Sequence, residues 1–356
     1  MANQVRVGVI GTGGISRYHM GGWLRSKRGK LVAAADIQPD KLQAFCEEFD
    51  LPPQQAYGDP RKMLLSEALD CVSVCCWAQH HADMVVAAAR AGVEGVLCEK
   101  PLGYSIAEGE RMRRAADKHG TKVLVMHQRR YVPTYTEAAR LIARGAIGQV
   151  HTLVARNGGG LCNTHSHSVD MMRYVLGDPR AEWAMAQLER RTNRWERCHP
   201  VEDCLVGVIG FEGGARGIIE SDTPLEKGQG GLWVYGTEGA IALYGGPLRM
   251  NQNTGGTWEP IEAGESVDPP VAYVQDLLRW MDGGPEPRIS LAKAWHTHEI
   301  LMAFYESART HRRITFPVRN RKRILEQMID DGLLPLGRRK KPYDIRTPDA
   351  LDAGYR

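Results

Sequence analysis

Two histidines open a segment that otherwise reads as the buried helix of a core. The stretch NGGGLCNTHSHSVDMMRYVLGD runs from Asn157 to Asp178. Val169, Met172, Val175 and Leu176 recur at helical spacing and predict an amphipathic helix. Ahead of them stand three glycines, then Asn163, Thr164, His165, Ser166 and His167. On an α-helix, Asn163, His167 and Asp170 fall on one face, at i, i+4 and i+7. A histidine titrates near neutrality and can take a hydroxyl proton. An asparagine beside it can hold a hydroxyl by donating and accepting, but cannot relay a proton. His165 falls on another face of such a helix, so a two-histidine metal site is not expected there. No CxxC pair supplies a zinc site, and the expected metal complement is none. His165 is expected either to touch substrate or to support a residue that does. Thr164 is a further substrate candidate, and Arg156, Asn157, Tyr131 and Trp233 are weaker ones, since a buried Tyr or Trp is more often core.

A second chemical signature stands at the other end of the chain. VRVGVIGTGGI alternates Val5, Val7 and Val9 and then breaks into glycines. A helix pattern follows (Ile15, Tyr18, Met20, Trp23, Leu24), and the next apolar run, KLVAAAD, ends at Asp36. Strand, glycine turn, helix, strand and terminal acid form the context in which GxGxx[GAS] binds a dinucleotide. Gly11 permits the tight turn, Gly13 lets backbone approach a pyrophosphate, and Ser16 is small enough for helix–strand packing. The N–H groups opening the helix face the phosphates. Asp36 can accept from both ribose hydroxyls and would repel a 2′-phosphate. Ile37, Gln38 and Pro39 offer no cation, so the expected cofactor is NAD.

These groups need a frame. Further alternation (Ala68–Trp77, Ala82–Ala91, GVEGVLCEKP, Ser105–His119, TKVLVMH) predicts five or six strands with helices between them, a doubly wound parallel sheet. Two polar clusters follow its strands, Gln79-His80-His81 and Glu99-Lys100-Pro101. The second reads either as a surface pair before a turn or as a lysine aimed at the nicotinamide end of the cofactor. After Gly177, short glycine-bounded runs such as CLVGVIGFE, ARGIIES and GLWVYG read as strands. The 356 residues, 43% hydrophobic and 25% charged, suit a soluble chain of two domains. The expected division is a dinucleotide-binding domain at 1–126, a substrate and oligomerisation domain at 127–318, and a basic extension at 319–356. No signal peptide or membrane span is read, and the expected location is cytoplasmic. The eight scattered cysteines are expected as free thiols. From Arg309 to Lys341 there are eleven Lys/Arg and three Asp/Glu. That excess reads as a solvated tail or as an anion or partner contact. A nucleic-acid role is not expected, because no stacking aromatics interleave the cations.

GVIGTGGIS, CEKPL, QRRYVP, the glycine-led HSVDMMRYVLGD, VYGTEGAIALYGG and WHTHEILMAFYESARTHRRITFPV follow one another as in the glucose–fructose oxidoreductase/inositol dehydrogenase/MocA family. The sequence resembles that family from about Val5 to Val318. The resemblance implies an N-terminal Rossmann domain and a C-terminal α+β domain with an open, mostly antiparallel sheet. It implies that this sheet's exposed face makes a homo-oligomer, a dimer or tetramer. It implies NAD contacts from Gly11, Gly13, Gly14, Ile15, Asp36, Cys76, Trp77, His81, Glu99, Lys100 and Gln128. It implies Lys100 as the catalytic lysine and His167 as the general base. Asn163 stands where many members carry Asp, Gln128 at a usual Asn, Trp77 at a common proline and His165 at a usual glycine.

The expected reaction is NAD-dependent oxidation of a secondary hydroxyl on a sugar, sugar derivative or cyclitol. His167 takes the proton and the Lys100 ammonium steadies the developing alkoxide. The alternative is a glycosidase of the same family, which oxidises C3 transiently, eliminates the aglycone and reduces again, possibly on an anionic sugar. A third reading, an NAD(H)-sensing or scaffold protein, has no need of Lys100 or His167.

Overall fold

The structure, a computed structural model, describes residues 4–221, 230–243, 248–251, 256–264 and 267–345. Tyr244 to Gly246 of the VYGTEGAIALYGG stretch and residues 346–356 of the C-terminal extension lie outside the described residues. Contacts divide the chain into two compact units.

The first unit comprises Met1–Gly103, Ala107–Tyr131 and Val267–Ala294. Its strands are β1 (Val5–Ile10), β2 (Gly29–Ala35), β3 (Ala56–Tyr57), β4 (Cys71–Val74), β5 (Gly95–Cys98) and β6 (Lys122–Val125). Between them run α1 (Gly14–Arg25), α2 (Pro39–Glu48), α3 (Pro60–Ser66), α4 (His81–Arg90) and α5 (Ile106–His119), whose first residue belongs to the other unit. All six strands pair in parallel, in the order β3-β2-β1-β4-β5-β6. Val7, Val9, Val72, Val96, Leu97 and Leu124 are sealed from water, as expected of a parallel sheet covered on both faces. The strand order reverses between β1 and β4, which makes their carboxyl ends a ligand-binding position. There Gly11 has φ +87°, and a Cβ on it would meet the Cys76 nitrogen at 2.6 Å.

The helix Pro269–Met281 packs in this same unit. It buries Tyr273, Val274, Leu277 and Leu278, and Tyr273, Val274 and Leu277 share one core with Trp23 and Phe45. Gly22 explains how α1 admits it: a Cβ there would meet the Pro270 carbonyl oxygen at 2.4 Å. A mid-helix glycine costs about 1 kcal/mol against alanine, and here close helix packing offsets it. Trp23 is fully buried, and its indole N–H donates to Ser73 at 3.0 Å.

The second unit comprises Tyr104–Ile106, Val132–Ser266 and Trp295–Arg356. It begins with α6 (Pro133–Ala143) and β7 (Val150–Asn157), then a π-helical turn (Leu161–His165) and α7 (Ser166–Val175). The strands that follow are β8 (Ala181–Glu189), β9 (Thr192–Glu196), β10 (His199–Pro200), β11 (Cys204–Phe211), β12 (Arg216–Ser221), β13 (Gly231–Gly236), β14 (Ala240–Leu243), β15 (Arg249–Asn251), β16 (Glu259–Pro260), β17 (Ile314–Thr315) and β18 (Arg339–Asp344). Nine form an open sheet in the order β16-β15-β14-β13-β7-β12-β11-β8-β17, antiparallel except where β7 and β12 pair in parallel. The fold is thus the expected pair, a parallel Rossmann sheet and a mostly antiparallel open one. On the open sheet Leu153, Ala155, Leu205, Ile219 and Val234 are buried, while Met185, Val206 and Tyr235 are exposed. Small residues let helices close on the sheet: a Cβ on Gly217 would meet the Met172 sulfur at 2.8 Å, and one on Gly207 would meet the Phe304 ring at 2.6 Å.

The C-terminal extension is built into this unit. The helix Ile324–Asp330 buries Ile324, Leu325 and Met328. Strand β18 then adds in parallel to β9, giving a small sheet of order β10-β9-β18. The tail therefore is not an appendage, although Arg338 to Lys341 stay exposed. Leu325→Ala should cost about 2–4 kcal/mol in urea unfolding, the usual range for truncating a buried leucine, and Lys341→Ala less than about 0.5 kcal/mol. Equal midpoints for the two variants would contradict the docking. Gly11→Ala combines a left-handed φ with a backbone clash, and a cost above about 2 kcal/mol is expected by the same measurement. A wild-type midpoint would show that the turn can shift.

Candidate active site

In the first unit the side chains gather on the loops after β1, β2, β4 and β5. Asp36 follows β2. Its Oδ2 accepts from the Thr12 N–H at 2.7 Å and the Thr12 hydroxyl at 3.0 Å, and its Oδ1 from the Gln38 N–H at 2.9 Å. An ionised carboxylate offers about four acceptor positions, so one remains for a ribose hydroxyl. Arg17 lies close by in sequence, but its guanidinium donates to Glu48 at 2.7 Å and to the Thr12 carbonyl at 2.8 Å. No cation pairs with Asp36 among the described residues. Helix α1 starts at Gly13 without a side-chain cap, and its first turn carries no acid. A Cβ on Gly13 or Gly14 would meet nothing within 4 Å. Open space beside uncapped N–H groups suits a pyrophosphate. Ser16 is fully buried, with its hydroxyl donated to the Gly13 carbonyl at 2.6 Å. Ile15, on the same turn, is exposed. Gln128 contributes a buried amide oxygen that accepts no hydrogen bond among the described residues, which suits a ligand N–H. These features fit NAD.

After β5, Glu99 and Lys100 are both buried. The Glu99 carboxylate lies 3.1 Å from His19 Nε2 and accepts from the Lys100 N–H at 3.2 Å. Burial pushes its pKa up, but the His19 hydrogen bond and the charges of His19, Lys100 and His81 outweigh that and hold it below the usual range. Lys100 therefore stands on backbone anchored by an internal anion, not on a surface turn. His81, expected against the cofactor, is instead enclosed. It is 1% exposed, with Nδ1 2.8 Å from the Pro101 carbonyl oxygen and Nε2 3.0 Å from that of Cys76. Burial draws its pKa down, against those two carbonyls. It ties the end of β4 to the lysine loop. Trp77 and Cys76 are half-buried on that end, and burial pushes the Cys76 thiol up to about 12, so it is neutral. Tyr131, expected among the substrate contacts, is a core residue of this unit. It is 4% exposed and donates its hydroxyl to Asp276 at 2.6 Å.

In the second unit the constellation surrounds the turn from Gly158 to His167. Gly159 has φ +100°, and a Cβ on it would meet the Thr164 hydroxyl at 2.3 Å. The chain then makes a π turn before α7 begins at Ser166. Asn163 therefore stands in the π turn, ahead of the α-helix on which a shared face with His167 and Asp170 was expected. His167 and Asp170 remain one turn apart on α7. Asn163 donates its amide N–H to Glu196 Oε2 at 2.9 Å. His165 is fully buried, its Nε2 3.2 Å from the Asn157 carbonyl oxygen, so it supports the turn and does not meet solvent. Asn157 donates its amide N–H to the Ser168 hydroxyl at 3.0 Å, tying β7 to α7. Arg156, its neighbour on β7, is on the opposite face, half-exposed and paired with Glu220 at 2.9 Å. Trp233 is half-buried on β13, opposite Val154. His167 is 7% exposed. Asp170, buried behind it, accepts from the Thr297 hydroxyl at 3.3 Å, and Arg173 donates to the same hydroxyl at 3.2 Å.

Sequence reading missed the residues beneath this turn. Glu196 accepts from the Gly160 N–H at 3.2 Å and from Arg194 at 2.9 Å, and Glu202 accepts from the Leu161 N–H and from the Tyr305 hydroxyl at 2.9 Å. Burial pushes the Glu202 carboxyl pKa up. The one signal was three acids in the short run WERCHPVED, too common a pattern to single out. Among the described residues no group of three or more His, Cys, Asp or Glu side chains is gathered as for a metal ion, and no helix is long and apolar enough to cross a membrane.

Residues 5–127 match the family described as "Oxidoreductase family, NAD-binding Rossmann fold", and residues 154–242 match the "GFO/IDH/MocA C-terminal domain". The chain is 26% identical over 260 residues to myo-inositol 2-dehydrogenase of Thermotoga maritima, across 69% of this chain and 74% of that enzyme. It is 28% identical over 272 residues to scyllo-inositol 2-dehydrogenase (NAD(+)) of Bacillus subtilis, across 71% and 77%. In fold it is similar to the WlbA dehydrogenase of Bordetella pertussis, solved in complex with NADH and UDP-GlcNAcA, with a TM-score of 0.74 and 23% identity over 89% of this chain and all of that one. With its uncapped glycine turn, its Asp36 and its open C-terminal sheet, the chain is an NAD-binding oxidoreductase that belongs to the glucose–fructose oxidoreductase/inositol dehydrogenase/MocA family.

Proposed function

We propose that the chain oxidises a secondary hydroxyl of a free sugar, sugar derivative or cyclitol, with His167 as general base and Lys100 as the electrostatic partner. The observation that carries this reading is that one chain keeps both groups, each withdrawn from bulk water on braced backbone. Lys100 is 8% exposed behind Glu99, and His167 is 7% exposed on the first turn of α7. A charge in such surroundings acts on a developing oxyanion more strongly than it would in water. His167 takes the hydroxyl proton onto its imidazole, and the Lys100 ammonium steadies the oxygen as negative charge grows. Asn163 and Thr164 hold neighbouring hydroxyls. NAD, when bound, accepts the hydride. The named activities of the inositol dehydrogenases support a carbohydrate or cyclitol as substrate.

His167→Ala should leave NAD affinity within about twofold and cut turnover by about two to four orders of magnitude, the usual contribution of a general base. Lys100→Met should do comparable damage. The assay follows NADH absorbance with myo-inositol, scyllo-inositol, D-xylose and D-apiose. Near-normal turnover in either variant would remove that residue from the chemistry. Aglycone release from glycosides without NADH accumulation would favour the redox-neutral glycosidase instead.

Asp36 should make NAD bind at least about tenfold tighter than NADP, since one unscreened like-charge contact near the surface is of the order of a kcal/mol or more. Arg17, committed to Glu48 and the Thr12 carbonyl, would have to leave both to meet a 2′-phosphate. Isothermal titration with the two cofactors checks this, and equal affinities would contradict it.

A further inference from the structure

We propose that Glu196 is the positioning residue of the second constellation: it fixes the orientation of the Asn163 amide and makes an amide, not a carboxylate, the group this chain requires at residue 163. The proposal rests on the reading of Asn163 as a substrate contact.

Glu196 is 2% exposed at the end of β9. Its Oε2 takes the Asn163 amide N–H at 2.9 Å, and its Oε1 takes the Gly160 N–H at 3.2 Å and Arg194 Nη2 at 2.9 Å. A carboxylate only accepts, so the amide nitrogen must face it. The flipped amide would set oxygen against oxygen. The Asn163 carbonyl oxygen, an acceptor for a hydroxyl hydrogen, is therefore the atom turned away from Glu196. One carboxylate thus sets both the entry of the turn, through Gly160, and the polarity of the side chain three residues on.

The charge balance around Glu196 excludes a second anion. Arg194 is the cation paired with it among the described residues. Glu202 adds a buried carboxylate nearby, and its own pKa is raised in part by Glu196. His199, opposite Glu196 in the β9–β10 ladder, stacks on Tyr104 and lies 3.3 Å from Glu326. An aspartate at 163 would bring a second carboxylate to hydrogen-bond distance of Glu196 Oε2, while Arg194 pairs with Oε1, so that repulsion disfavours ionisation of both. The C-terminal strand holds this arrangement together. Strand β9 lies between β10 and β18, and the Ile345 N–H donates to the Trp195 carbonyl, next to Glu196, at 3.1 Å.

The test compares the wild type with Asn163→Asp, Glu196→Gln and the double variant. Thermal unfolding from pH 5 to 8 is read without ligand, and KM and kcat are read with NAD and the panel sugar that turns over fastest. In Asn163→Asp the pair shares a proton, so its folded pKa lies above the unfolded value. The stability tied to that proton is present at low pH and lost as pH rises through the folded pKa. The deficit against wild type should therefore grow from pH 5 to 8. KM should rise about tenfold or more, with a smaller change in kcat. In the double variant a glutamine amide donates to the new aspartate. Its deficit should be flat with pH, and its KM should return to within about threefold of wild type. If Asn163→Asp does not fold, recovery of folded protein in the double variant supports the pairing, and failure to recover overturns it. A pH-independent deficit in Asn163→Asp, or a double variant no better than either single one, also overturns it. If no sugar turns over, the reading of function fails, while the unfolding profiles still decide the pairing.

Discussion

Two buried carboxylates hold the turn on which the second constellation is built. Between β7 and α7 the chain passes through three glycines and a π turn, so its opening N–H groups have no acceptors within a helix. The Gly160 N–H ends on Glu196 and the Leu161 N–H on Glu202, more than thirty residues away in the chain. Neither acid is cheap to bury. Arg194 and the Asn163 amide offset Glu196, and the Leu161 N–H and Tyr305 hydroxyl offset Glu202. Donor and acceptor are mutually dependent, because removing either would leave a buried polar group unsatisfied. Gly159 completes the constraint, since its left-handed backbone and its contact with Thr164 leave no room for a side chain.

The first unit uses the same device. Glu99 is an internal anion held by His19, and it accepts the backbone N–H of Lys100. His81 secures the other side of that loop through the carbonyls of Cys76 and Pro101. Both candidate side chains, Lys100 and His167, thus follow backbone that buried polar groups tie down. That limits their travel to side-chain rotations, the condition for a preorganised site.

The Rossmann half was legible because its signal is local. Strand, glycine turn, helix, strand and Asp36 follow within forty residues, and each has a residue-type signature. The return of Pro269–Met281 to that unit was not, since nothing in linear order says where an amphipathic helix will find its core. Glu196, Glu202 and Arg194 were invisible for a related reason: they matter through contacts that only the fold creates. The π turn was missed because residue type does not distinguish it from an α turn. In the tail, Ile324, Leu325 and Met328 were readable as apolar. Strand β18, of sequence RKKPYD, has little strand propensity and forms because β9 presents an edge.

The buried acids Glu99 and Glu202 are not equivalent. Glu99 is held low by cationic neighbours, Lys100 among them, and so remains the anion that balances them. Glu202 is pushed up by burial, with Glu196 adding to the shift against its hydrogen bonds. The first unit therefore keeps paired charge beside its lysine, whereas beneath the turn of the second a further negative charge is disfavoured. Asn163 follows the same logic. An amide adds no charge next to Glu196 and does not titrate, so it takes no part in moving protons. On the proposed reading the proton then falls to His167, one helical turn from Asp170, which accepts from the Thr297 hydroxyl that Arg173 also meets. Under that proposal one residue carries the proton, and the polar groups around it, Asn163 among them, serve to hold hydroxyls in place.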